Sequence, residues 1–217
     1  MIVTIDGPAG AGKSSISRRL ADTIGYEFLD TGAMYRVIAL LGLRANTDWE
    51  DEQRLVDFAR TVEMDLSGPR VLLFGEDVTE EIRTQRVTAV TRYSAKNVGV
   101  REQLVRLQRE IAHGKDIVTE GRDQGTLVFP NAECKIFLTA SPEERARRRV
   151  NDLAARGESV EFDDILQQQA KRDEEDSQRE VGPLRKAEDA TEVMTDGMTE
   201  EEVLAKLVQI VQRCQHA

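Results

Sequence analysis

Apolar positions come in short continuous runs and in longer stretches at helical spacing, and the order of these two patterns predicts the elements. Residues 2–5 form a continuous run and read as a short buried strand, and residues 7–12 are a glycine-rich turn. From 13 to 24, Ile16, Leu20, Ala21 and Ile24 recur at helical spacing, and Gly25 suits a helix stop. Residues 27–30 predict a second strand, and 33–43 and 51–59 predict two more helices. Strand, helix, strand, helix is the order of an α/β fold with a parallel sheet.

The pattern changes after residue 61. Residues 62–66 and 71–74, joined by Ser67-Gly68-Pro69, predict an antiparallel hairpin, followed by a turn at Gly75-Glu76-Asp77. Helical stretches follow at 87–95 and 101–112, then buried-strand patterns at 116–120 and 135–139. Pro142 suits a first helical turn and opens an arginine-rich helix. Residues 162–180 predict a polar helix with few apolar anchors, a mobile or peripheral element; 192–195 predict a last strand and 201–211 a closing helix. One core sheet with two excursions, near 60–95 and 145–185, is expected.

A chain of 217 residues fits one domain or one domain carrying insertions. The longest near-continuous apolar run, 37–43, is far short of the ~20 residues of a membrane span. The first residues carry no basic stretch followed by a small-residue cleavage site, so no signal peptide and a cytoplasmic location are expected. Cys134 and Cys214 lie far apart in sequence and read as reduced thiols. Net charge is −10, and so strong an acidic excess argues against a partner that is a nucleic-acid polymer or an anionic membrane. Within it, five arginines between Arg145 and Arg156 stand against one acid, Asp152, a local strip suited to a small anionic ligand.

The sharpest signal is Gly7-Pro8-Ala9-Gly10-Ala11-Gly12-Lys13-Ser14, which satisfies G-x-x-x-x-G-K-[ST] at every fixed position, with a strand before it and a helix after it. Glycines let such a loop curl until backbone N–H groups converge on phosphate, and the helix adds its positive N-terminal end. Lys13 would bridge the outer phosphates, and the Ser14 hydroxyl would ligate Mg²⁺. A P-loop does not by itself name a reaction. A guanine-reading switch would carry Asn-Lys-x-Asp, whereas the nearest text, Lys96-Asn97, is reversed. Separated arginines suit a kinase for a phosphorylated acceptor, because guanidinium groups bind phosphate bidentately. His113 and His216 read as surface residues and Trp49 as a packing anchor.

Five further stretches carry a resemblance: Leu29-Asp30-Thr31-Gly32-Ala33-Met34-Tyr35-Arg36; Val100-Arg101-Glu102; Gly121-Arg122-Asp123-Gln124-Gly125-Thr126 with Val128-Phe129-Pro130; Arg172-Asp173-Glu174-Glu175-Asp176-Ser177-Gln178-Arg179; and Pro183-Leu184. With the P-loop, in this order and spacing, the chain resembles the bacterial cytidylate kinases over nearly its whole length. The 71–84 stretch resembles the β insert of that family. The resemblance implies a P-loop three-layer α/β fold with a central parallel sheet, a β-containing acceptor-binding insert and a helical lid. It implies a core of 1–30, 110–144 and 186–217, an acceptor region of 31–109 with its β insert at about 60–84, and a lid of 145–185.

It also implies transfer of the γ-phosphoryl of ATP to CMP or dCMP with Mg²⁺. No long apolar surface stripe stands out in the sequence, so a monomer is expected. ATP would lie on Gly7, Pro8, Ala9, Gly10, Ala11, Gly12, Lys13, Ser14 and Ser15, with Arg145 and Arg148 from the lid. CMP would meet Thr31, Tyr35, Arg36, Arg101, Arg122, Asp123, Asp176 and Arg179, and Lys13, Arg122, Arg149 and Arg179 would stabilise the transfer. Three departures stand out. Relatives often have serine nine residues before the Val-Arg-Glu arginine; here that place is Arg92, with Ser94 out of register. The P-loop ends Ser14-Ser15 where some relatives have Gly-Thr. Glu120 stands where aspartate is common, and it too would hold magnesium, through water. The rival readings are a kinase for UMP, AMP or shikimate, and a P-loop NTPase switch.

Overall fold

In the computed structural model, residues 1–66, 68–155 and 157–216 are described. Ser67 of the predicted turn and Arg156 of the arginine strip lie outside them. The elements follow in chain order: β1 (Ile2–Asp6), α1 (Lys13–Ile24), β2 (Glu27–Asp30), α2 (Thr31–Arg44), α3 (Glu52–Thr61), β3 (Met64–Asp65), β4 (Leu72–Leu73) and β5 (Glu76–Asp77). Then come α4 (Gln85–Lys96), α5 (Val98–Ala112), β6 (Ile117–Gly121), β7 (Cys134–Thr139), α6 (Pro142–Ala154), α7 (Phe162–Ser177), β8 (Thr191–Met194) and α8 (Glu200–Gln215). The chain divides into two compact units, 1–26 with 118–217, and 27–117.

The large sheet has five strands, and the four of the first unit run β6-β1-β7-β8. β1 pairs β7 in parallel and β7 pairs β8 in parallel, with Ile5 opposite Ile136. Val3, Ile5, Ile117, Val118, Ile136 and Leu138 are all at most 1% exposed, so these strands are buried on both faces and read as continuous apolar runs. α1 packs against α8. Helix starts follow the local chemistry: Ser141 accepts from Glu144 N at α6, and Thr199 with Glu202 forms a capping box at α8. Cys134 and Cys214 are free thiols, and burial, followed by the neighbouring Cys214, pushes the Cys134 thiol up.

In the second unit α2 packs on α4 and α3 on α5. Asp30, Asp51, Thr84 and Asn97 cap α2, α3, α4 and α5. The Asn97 cap starts α5 at Val98, one turn before the predicted 101, and the Asp30 cap starts α2 at Thr31 instead of 33. Trp49 stacks on Tyr93 with ring centroids 5.2 Å apart, a packing anchor as expected.

The β insert differs from its prediction. It is a three-stranded antiparallel sheet, β3-β4-β5, and Glu76–Asp77 is its third strand instead of a turn. The tight turn is Phe74-Gly75, with φ of 48° and 81°. Two consecutive positive φ values are the geometry of a two-residue hairpin whose twist matches its strands. Two acidic residues mask that strand in the sequence, because both are exposed and neither supplies an apolar position to it.

The predicted polar helix 162–180 ends at Ser177. It is anchored: Ile165 packs on Ala146 and Leu153 of α6, and Gln169 and Asp176 are buried as well. Among the described residues no helix is long and apolar enough to cross a membrane.

Candidate active site

The phosphate cradle joins the end of β1 to α1. Gly7 comes so close to β7 that a Cβ there would stand 1.9 Å from the Leu138 carbonyl oxygen, so only glycine fits. Lys13 is 5% exposed and its Nζ donates to the Pro8 carbonyl at 2.8 Å, folded back across the loop. Burial, with the Arg122 charge next, pulls the Lys13 ammonium down to about 7. Ser14 Oγ donates to Glu120 Oε1 at 2.8 Å, and Ser15 Oγ donates to the Gly12 carbonyl at 3.1 Å.

Asp6, one residue before the loop, escaped the sequence reading. Its carboxylate accepts the N–H of Gln124 at 2.8 Å and of Gly125 at 2.7 Å. It thereby pins the turn of π-helix, Gln124–Val128, that follows Arg122 and Asp123. Burial lifts Asp6 to about 7 against the pull of those N–H groups. A charged residue ending a buried apolar run was the available signal.

Arg122, Asp176 and Arg179 come together as predicted groups from distant segments. Arg122 Nε donates to Asp176 Oδ2 at 2.7 Å, and Arg179 donates to Oδ1 of the same carboxylate. Burial works against the charges here, but the two arginines outweigh it and hold Asp176 below the usual carboxylate range. Asp176 and Glu120 likewise outweigh burial and hold Arg122 above its ordinary value. Asp123 is 4% exposed on the turn beside them.

The arginines of α6 differ in their surroundings. Arg145 is buried and donates from Nε to the Ala140 carbonyl and from Nη1 to the Ala9 carbonyl. Arg148 donates to Glu144 Oε1 at 3.1 Å and grips Thr195 through Oγ1 at 3.0 Å and its carbonyl at 2.8 Å. Its Nη1 lies 3.9 Å from where a Cβ on Gly12 would stand. Arg149 is half-buried on the same helix. Two more residues of α7 reach the cradle: Asp173, which stands in the Arg172–Arg179 stretch without an expected role, accepts the Ala9 N–H on Oδ1 at 3.2 Å, and Gln169, which no motif includes, packs beside Gly10.

The second unit carries the other predicted acceptor residues on α2 and α5. Arg36 Nη1 donates to Thr88 Oγ1 at 2.8 Å and to the Ile82 carbonyl at 3.2 Å. Arg101 is 1% exposed, donates to the Ala95 carbonyl, and lies with its guanidinium 5.5 Å from the centroid of the Tyr35 ring. Thr31 is buried at the start of α2. Ser94 is buried and donates to the Tyr35 carbonyl at 2.8 Å, while Arg92 lies over the Tyr93 ring.

A cytidylate kinase family pattern matches residues 3–213. The chain belongs to the cytidylate kinase family. A cytidylate kinase of Rhodopirellula baltica is 52% identical over 217 residues, covering 100% of this chain and 95% of the relative. One from Caldanaerobacter subterraneus is 46% identical over 211 residues, covering 97% and 94%. Among solved structures, a shikimate kinase from Bacteroides thetaiotaomicron is similar with a TM-score of 0.50 at 12% identity, covering 98% of both chains, a likeness of fold alone. As a member of the cytidylate kinase family the chain is a phosphotransferase with an α/β P-loop fold around a parallel sheet.

Proposed function

We propose that the protein transfers the γ-phosphoryl of ATP to CMP or dCMP, giving ADP and CDP or dCDP, in pyrimidine nucleotide metabolism. The observation that carries the reading is the sharing of Asp176 by Arg122 and Arg179 in the same unit as Lys13, with the Arg122 charge acting on Lys13 itself. A cradle lysine with guanidinium groups from two other segments is the apparatus for phosphoryl transfer, where positioning and charge stabilisation supply most of the rate.

In this reading residues 7–15 hold the ATP phosphates, with Arg145 and Arg148 from α6. Arg36 and Arg101 bind the acceptor phosphate with Arg122 and Arg179, Thr31 and Tyr35 line its site, and Asp123 and Asp176 reach the sugar. An acceptor phosphate oxygen attacks the γ-phosphorus in line, the bond to the bridging oxygen breaks, and ADP leaves with the electron pair. Lys13, Arg122, Arg149 and Arg179 spread the charge that develops. Residues 145–185 act as a lid that keeps water from accepting the phosphoryl group. Residues 31–109 act as the acceptor region and the remainder as the core.

Ser14 and Glu120 suit Mg²⁺, since both offer hard oxygen atoms and they stand 2.8 Å apart. Among the described residues no cluster of three His, Cys, Asp or Glu side chains could hold a metal. Ser14 would ligate it directly and Glu120 through water, and it would neutralise the β- and γ-phosphate oxygens. The protein works as a cytoplasmic monomer on free nucleotides, bound to no nucleic-acid polymer and no membrane.

The test is to incubate the protein with ATP, Mg²⁺ and CMP and to follow CDP by chromatography. CDP and ADP should appear one for one. ATP hydrolysis that proceeds at the same slow rate with or without CMP would contradict the reading and favour a switch.

A further inference from the structure

The crown of the phosphate cradle is held from outside by the two helices α6 and α7. Ala9 offers its N–H to Asp173 Oδ1 at 3.2 Å and accepts at its carbonyl from Arg145 Nη1 at 2.8 Å. Arg145 Nη1 is itself paired to Asp173 Oδ2 at 2.5 Å, so one residue's backbone, one carboxylate and one guanidinium close a ring. Arg145 is fixed further by its Nε bond to the Ala140 carbonyl, and its own carbonyl accepts from Gln169 Nε2.

The ring acts where the loop is easiest to turn over. Gly10 sits at φ +78°, and glycine passes between signs of φ at little cost, so the Ala9–Gly10 peptide can flip more readily than its neighbours. The chain has no cis peptide among its described residues, and in a trans peptide C=O and N–H point opposite ways. Holding the Ala9 oxygen against Arg145 therefore turns the Gly10 N–H the other way. Were the peptide to flip, a carbonyl would replace an N–H in a loop whose affinity for phosphate depends on converging N–H groups.

We infer that Asp173 is a positioning residue for the phosphate cradle: it fixes the Ala9 N–H directly and the Ala9 carbonyl through Arg145. The inference rests on reading residues 7–14 as the ATP site. It concerns how that site is held, whichever acceptor is used. It also makes α7 a reporter of the loop, since the same helix carries Asp176.

The experiment is calorimetric titration of ATP, and separately of CMP, in Mg²⁺ buffer against wild type, Asp173→Asn and Asp173→Ala. The alanine variant loses both oxygens and should bind ATP about ten-fold more weakly, the scale of a hydrogen bond to a charged group. The asparagine variant keeps an acceptor for the Ala9 N–H and should fall between it and wild type. CMP affinity should stay within about two-fold in both, which a general loosening of the fold would not allow. Unchanged or tighter ATP binding in the variants, or an equal weakening for CMP, would overturn the inference. Should the alanine variant not fold, the asparagine variant decides by itself. Failure of the wild type to make CDP would sink the proposed acceptor while leaving the ATP titrations able to decide the role of Asp173.

Discussion

Ser14 Oγ donates to Glu120 Oε1 across 2.8 Å, tying the first turn of α1 to β6. If the pair holds Mg²⁺, Ser14→Ala should lower kcat/KM for ATP by about 10–100-fold, the scale for losing a metal contact or its support. Raising the Mg²⁺ concentration should restore part of the loss. A steady-state titration of Mg²⁺ checks this, and a loss that no Mg²⁺ concentration relieves would assign the pair a purely structural role.

Asp176 is 3% exposed at its side chain and has Arg122 and Arg179 on its two oxygens. Asp176→Ala should therefore leave two cations without their anion and cost about 3 kcal/mol, the lower end for removing one partner of a buried pair. Thermal melts should show a drop of about 6–12 °C. Turnover should also separate two roles: if the carboxylate reads the 2′-hydroxyl, CMP suffers far more than dCMP, whereas equal losses mean that it serves by holding the two arginines.

Asp6 gives stability a pH dependence of definite sign. Its folded value of about 7 lies above the ordinary 3.8, so between these values the folded chain holds a proton that the unfolded chain has lost. The contribution of Asp6 is fully present below pH ~4 and is lost as pH rises through 7. Urea melts of wild type and Asp6→Asn from pH 4 to 8 should show the wild type losing ground to the variant as pH rises. A difference between them that stays flat with pH would contradict the burial argument.

Lys13 offers a second proton to count. Its ammonium is pulled to about 7, so at pH 8 most of the nucleotide-free protein carries it neutral. Phosphate favours the charged form, and ATP binding at pH 8 should take up about one proton, falling toward none at pH 6. Calorimetry in buffers of different ionisation enthalpy measures this, and Lys13→Met should abolish both the uptake and phosphoryl transfer. Release of protons by the wild type would contradict the account.

The cradle was legible because its chemistry fixes residue types at fixed spacing, and the strand before Gly7 and the helix from Lys13 confirmed the context. Gln169 and Asp6 were not, nor was the role of Asp173, since each acts on backbone distant in sequence and needs no spacing from its partner. In sequence Glu76–Asp77 resembles a turn because exposed edge strands carry no apolar alternation, and only the hairpin geometry at Phe74-Gly75 reveals the strand. The helix starts at Thr31 and Val98 were displaced by a turn or less, because Asp30 and Asn97 cap ahead of the first apolar position. Arg101 stood in a motif, yet nothing in the sequence foretold that it would lie fully buried over Tyr35.

Purified protein with ATP and Mg²⁺ should be offered CMP, dCMP, UMP, AMP, GMP and shikimate in turn while ADP release is followed. ADP should form rapidly with CMP and dCMP alone, with Arg92 in place of the usual serine no obstacle to reading cytosine. Rapid turnover with another acceptor and little with CMP would contradict the proposed function, as would slow release indifferent to every acceptor.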